Sequence, residues 1–134
     1  MTKICLLTFA VIGFAGCGLC GEEAGPETKS PFGEYAAALF IRNCGATTPY
    51  VSHINLRNTS GGFKSDSYGT INESEVFVVR GKPNIKVTWL ERKRLSIECL
   101  ECQEFDISKK ESCWKDINIS YKIGSMPEGP NGIQ

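Results

Sequence analysis

Residues 85–99, IKVTWLERKRLSIEC, decide the fold. Ile85, Val87 and Trp89 alternate with Lys86 and Thr88, and Leu95, Ile97 and Cys99 alternate in the same way after the charged run Glu91-Arg92-Lys93-Arg94. A period of two with β-branched and aromatic residues on one face is the signature of a half-buried strand. The two runs with their polar turn therefore predict a hairpin. Residues 117–123 repeat the pattern most clearly, with Ile117, Ile119, Tyr121 and Ile123 against Asn118, Ser120 and Lys122. Upstream, Val76 to Val79 form a compact apolar strand. In PYVSHINLR (49–57), Tyr50, Ser52, Ile54 and Leu56 lie on one face and Val51, His53, Asn55 and Arg57 on the other. Pro49 stands at the start of that strand, where a missing N–H matters least. Residues 35–42, YAAALFIR, read as a further strand, closed by Asn43-Cys44-Gly45. Asn58 to Gly62 is a turn, and residues 63–74 form a long polar loop with a short strand around Tyr68–Ile71. Phe105 and Ile107 suggest another short strand, and Ser108 to Ser112 a loop. No amphipathic helix and no internal repeat emerges. The expected class is all-β: a small Ig-like sandwich or barrel of about six to seven short antiparallel strands, over residues 35–124, behind a flexible tether.

The chain opens with MTKICLLTFAVIGFAGCGLC. Lys3 precedes an uncharged apolar run from Ile4 to Gly16, too short to span a bilayer as a mature helix. A positive start, a short apolar centre and a small-residue exit make a secretory signal, here residues 1–16. Ala15-Gly16-Cys17 resembles the lipobox of bacterial lipoproteins, with Phe14 standing where that family usually has leucine. The resemblance implies cleavage before Cys17 and acylation of Cys17. Gly18 and Leu19 carry no aspartate after that cysteine, which by the same likeness implies sorting to the outer membrane. Residues 17–34, rich in Gly, Pro and charge, read as a lipidated flexible tether. Residues 125–134, with Pro127, Gly129 and Pro130, read as a disordered tail.

The chain has 134 residues, one domain's worth, with 15 basic and 15 acidic side chains. That balance offers nothing to a nucleic acid, which calls for a strong basic excess. Of the seven cysteines, Cys5 leaves with the signal and Cys17 is taken by the acyl chains. Export puts the rest in an oxidising compartment. Cys44, Cys99, Cys102 and Cys113 are the disulfide candidates, with three possible pairings, and Cys20 in the tether is the odd one out. Cys99-Leu100-Glu101-Cys102 is a CxxC. Zinc would need two further ligands at irregular spacing. A redox site would favour a helix N-terminus beside a βαβ unit, and Glu101 would disfavour the thiolate. Structural disulfides are the favoured reading, for instance Cys44 or Cys113 bonded to the 99–102 loop.

His53 is the only histidine, so any histidine-based catalysis must use it. Ser52 points to the opposite strand face, so the adjacency is no dyad. A solvent-facing strand histidine is the ordinary reading, and a partner contact the next. Arg92 and Arg94 belong to a charged hairpin turn that could meet a partner. Trp114, beside Cys113, is a candidate exposed anchor. No catalytic set, metal site or cofactor is expected. Asn58, Asn72 and Asn118 begin glycosylation sequons, which carry meaning only in a eukaryotic secreted protein.

The leader, the spacer and a strand-rich domain containing PYVSHINLRNTSGG (49–62) and NIKVTWLE (84–91) resemble small envelope lipoproteins, some of which accompany type VI secretion effectors as immunity proteins. The resemblance implies a non-enzymatic protein-binding module, toxin-neutralising in that role. It would be held to the membrane by N-terminal acyl chains at the outer membrane and face the periplasm. The alternatives are a soluble, disulfide-stabilised secreted domain and a small envelope enzyme.

Overall fold

The computed structural model describes residues 20–63 and 74–124. The expected leader, the acylation site Cys17, the short strand at 68–71 and the C-terminal tail lie outside the described residues. Nine strands are present among the described residues: β1 (Gly21–Lys29), β2 (Tyr35–Asn43), β3 (Val51–Asn58), β4 (Glu75–Arg80), β5 (Lys86–Glu91), β6 (Arg94–Cys99), β7 (Ile107–Lys110), β8 (Cys113–Trp114) and β9 (Ile117–Ile123). A single turn of 3-10 helix, Glu104–Asp106, precedes β7. One sheet has the order β1-β2-β3-β4-β7 and the other β5-β6-β9-β8. They pack as a sandwich.

The core lies between the sheets. Ile54, Leu56, Phe77 and Val79 from the first sheet meet Leu95, Ile97, Ile117 and Ile119 from the second. Each such side chain contributes about 1.5–3 kcal/mol when fully buried. The alternation read over 85–99 and 117–123 therefore has its predicted outcome: Leu95, Ile97 and Ile117 are fully buried, while their neighbours in sequence are more exposed. The β5–β6 hairpin turns at Arg92-Lys93, inside the predicted charged run.

Three features depart from the sequence reading. Residues 21–29, expected within the flexible tether, form β1, paired with β2 from Gly21↔Asn43 to Lys29↔Ala36. This strand has almost no apolar side chains, and its order comes from the partner strand. The register shifts between Ala24 and Glu27, at Gly25-Pro26, where proline has no N–H to give a ladder. Gly25 lies so close to β2 that an added Cβ would come within 3.0 Å of the Leu39 carbonyl oxygen. Second, the strands number nine, since β1 and the two-residue β8 were not anticipated. Third, β6 and β9 are parallel, in register from Arg94↔Asn118 to Cys99↔Ile123, whereas every strand was expected to be antiparallel. A parallel neighbour needs a long crossover. Residues 100–116 provide it by crossing to the first sheet as β7 and returning as β8.

Both sides of the sandwich are closed. The Trp89 indole N–H donates to the Thr28 carbonyl at 3.1 Å, joining β5 to β1. On the other side the Tyr121 hydroxyl lies 3.2 Å from the Val76 carbonyl oxygen and also reaches that of Glu111. Burial pushes the Tyr121 hydroxyl pKa up, keeping the donor protonated. Gly124 ends β9 against the 99–102 turn, its N–H bonded to the Cys99 carbonyl at 2.9 Å. A Cβ at Gly124 would collide with the Leu100 carbonyl, so only glycine fits there.

Strand direction defines two ends. Cys20, the β2–β3 and β4–β5 connections, the 99–106 segment and Gly124 lie at one, here the Cys20 end. The turns 30–34, 58–62, 92–93 and 115–116 lie at the other, the Trp114 end. The nine residues of β1 put the two ends roughly 30 Å apart.

Candidate functional site

Two groups of polar side chains stand out, one buried and one exposed. The buried group lies on the face of the first sheet that points away from the core. It draws one side chain from each of β1, β2 and β4 (Glu22, Arg42 and Glu75) and two from β3, His53 and Asn55. The His53 Nε2 is 2.9 Å from Glu22 Oε2, and Nδ1 is 2.5 Å from Asn55 Oδ1 and 3.3 Å from Glu75 Oε2. Arg42 bridges the two carboxylates, with Nε 2.9 Å from Glu22 Oε1 and Nη2 3.1 Å from Glu75 Oε2. The imidazole stacks on Phe40 with centroids 5.5 Å apart.

His53 is 0% exposed, which corrects its reading as a solvent-facing residue and removes it as a partner contact. The period of two along β3 is correct. The expectation failed because the outer face of this sheet is itself covered, with Ala36, Ala38, Phe40 and Val78 buried on it. Phe63 packs edge-on against Phe40 at 5.1 Å.

The chemistry of the group follows from its geometry. A nucleophile would have to sit at a ring nitrogen, and both ring nitrogens already face carboxylate oxygens. The carboxylates approach opposite edges of the ring, so their lone pairs do not converge with a ring nitrogen on one point. Among the described residues no cluster of His, Cys, Asp and Glu is arranged to hold a metal ion. Ser52 points to the other face, its hydroxyl donating to the Gly81 carbonyl at 2.7 Å. The group ties four strands together.

The cysteines pair differently from the expectation. Cys20 bonds Cys44, Cys99 bonds Cys102, and Cys113 is an exposed free thiol. The β1–β2 register places Gly21 opposite Asn43, which brings Cys20 and Cys44 together. The 99–102 segment is a tight turn, with the Cys102 N–H bonded to the Cys99 carbonyl at 3.2 Å, so the CxxC closes on itself. Two intramolecular disulfides are compatible with an oxidising, extracytoplasmic environment. Replacing Cys20 and Cys44 together by serine is expected to lower stability by about 2–4 kcal/mol in guanidinium unfolding. In hydrogen exchange the β1 amides should then lose protection before those of β3. Unchanged β1 protection would mean that the ladder and ion pairs hold this strand without the bond.

The exposed group is the Trp114 end. The Thr59 hydroxyl donates to the Gly33 carbonyl at 2.6 Å, joining the 58–62 turn to the 30–34 turn. Arg92 Nε lies 2.5 Å from Glu34 Oε1, and its guanidinium sits 5.4 Å over the Phe32 ring. Lys93 pairs with Asp116 at 2.5 Å, and Arg94 with Glu91 at 3.0 Å. The hydrogen bond from Arg92 holds the Glu34 carboxyl below the usual carboxylate range, and that from Lys93 does the same for Asp116. These pairs are exposed and screened, so they shape the surface more than they stabilise the fold.

Trp114 is half-buried, edge-on to Tyr35 at 6.1 Å, and the Lys115 ammonium lies 4.6 Å over its ring. Lys115 has φ 53°, the left-handed turn geometry that aims it there. A cavity of about 250 Å³ opens between Trp114, Lys115, Arg57, Phe63 and the 60–62 turn. The structure thus brings Arg92, Arg94 and Trp114 to one end of the molecule and leaves His53 out. Sequence reasoning missed Phe32, 75% exposed in the β1–β2 turn, because residues 17–34 were read as tether. It also missed Glu22 and Glu75, since a carboxylate in a polar stretch gives no sign of burial. No protein family, curated protein or solved structure matches the chain.

Proposed function

We propose that this chain is an exported, lipid-anchored module that binds another protein through its Trp114 end and performs no chemistry of its own, with toxin neutralisation as its specific role. The observation that carries the reading is topological. Cys20, three residues after Cys17 in the sequence, lies at one end, and Phe32, Arg92, Arg94 and Trp114 are roughly 30 Å away at the opposite end. An anchor at Cys17 therefore presents these residues outward. Aromatic and arginine side chains are the types that dominate protein-binding hot spots. The ion pairs Arg92–Glu34 and Arg94–Glu91 can exchange partners at little cost. The leader's likeness to a lipobox supports the anchor, and the two disulfides suit the compartment.

Labelled palmitate is expected to appear in the protein and to vanish on Cys17→Ser. A photo-reactive residue in place of Phe32 should give a discrete protein adduct in intact cells, lost when Trp114→Ala and Arg92→Glu are added. Label retained in Cys17→Ser overturns the anchor. Absence of an adduct at position 32, or one indifferent to Trp114 and Arg92, overturns the binding surface.

A further inference from the structure

We propose that the Cys20 end of the sandwich rests on a lipid bilayer, with Tyr50, Leu100 and Phe105 entering the headgroup layer. This rests on the anchored reading above and adds the surface that meets the lipid. Among the described residues five large hydrophobic side chains are exposed, and three of them are at this end: Phe105 at 83%, Leu100 at 45% and Tyr50 at 42%. They come from separate segments, the β2–β3 connection, the 99–102 turn and the 3-10 turn, so strand direction alone gathers them. The 3-10 turn carrying Phe105 has no buried residue, so the phenyl group is not there to pack the core.

The polar surroundings fit the same occupant. The Lys82 ammonium lies 4.8 Å over the Tyr50 ring. Tyrosine and lysine both place an apolar body at a membrane interface while the polar tip stays in water. Two of the acids nearby are engaged. Glu104 pairs with Lys110 at 3.2 Å, and Glu101 accepts the Asn84 N–H at 3.0 Å. With Asp106 beside Phe105 the end is not basic, so apolar burial and not attraction to anionic lipid drives the contact. Covalent reach then selects the bilayer as the occupant. Only Gly18 and Leu19 separate Cys17 from Cys20, and three chain steps span at most about 11 Å. Acyl chains on Cys17 hold a bilayer against this end and far from Trp114.

The test uses the full chain, expressed with its own leader and placed in phosphatidylcholine vesicles whose acyl chains carry bromine, a short-range quencher of indole. Phe105→Trp and, as a second probe, Leu100→Trp each add one indole at the Cys20 end. The added emission should shift to the blue and lose most of its intensity, while the native Trp89 and Trp114 emission is retained. Intact mass reports acylation in the same sample. An acylated chain with quenched added indoles supports both readings. An acylated chain whose added indoles are not quenched overturns the surface and leaves the anchor standing. Quenching without acylation supports the surface and overturns the anchor, and neither signal overturns both.

Discussion

Replacing His53 by leucine is expected to lower the unfolding free energy by about 3–5 kcal/mol, because buried polar groups on β1, β3 and β4 lose a hydrogen-bonding neighbour, each such loss costing about 1–3 kcal/mol. The leucine fills much of the ring's volume, so the loss comes from polar contacts and not from a cavity. The ring faces Glu22 Oε2 at 2.9 Å on one edge and Asn55 and Glu75 on the other, with Arg42 between the two carboxylates. Without it, two carboxylates that are 7% and 12% exposed each lose a polar neighbour at low dielectric. Equilibrium urea unfolding at neutral pH measures the change. Because Glu22 sits on β1 and Glu75 on β4, hydrogen exchange should show early loss of protection at both strands. A second variant separates charge from packing: Glu22→Gln added to His53→Leu removes one of the two buried carboxylate charges and should recover part of the loss. A cost below about 1 kcal/mol for His53→Leu, typical of a surface change, would show that the group does not hold the sheet.

Phe77→Ala is expected to cost about 3–5 kcal/mol, combining lost burial with a cavity that a two-sheet core cannot collapse around. Phe77 is fully buried on β4, opposite Ile54 of β3. Its ring lies 5.6 Å from that of Tyr121 on β9, so it joins the sheets directly. Truncation removes the contact beneath Tyr121, whose hydroxyl sits at the Val76 and Glu111 carbonyls. Thermal unfolding should therefore drop by many degrees, and Phe77→Leu should fall much less. Equal losses for the two variants would place the effect in backbone strain and not in core volume.

How much of this was legible depends on where the physical signal resides. The β5–β6 hairpin, β9, β3 and β4 could be read from residue order, because alternation along a strand is a local consequence of one face meeting the core. The turn at Arg92-Lys93 was legible for the same reason, four charged residues between two alternating runs. The gathering of Arg92, Arg94 and Trp114 at one end was not, since it needs the direction of every strand. Strand β1 was hidden because GEEAGPETK carries no apolar alternation; its order comes from the β2 ladder, the Cys20–Cys44 bond and Glu22.

From the residues alone came the all-β class, the strands that alternate and the polar turns between them, for burial of one strand face is written along the chain itself. The tertiary structure decided which strands are neighbours, the parallel β6–β9 pair, the cysteine partners and the burial of His53. Each of these depends on groups far apart in sequence meeting in space. A polar residue carries the same letter whether water or a carboxylate from another strand satisfies it.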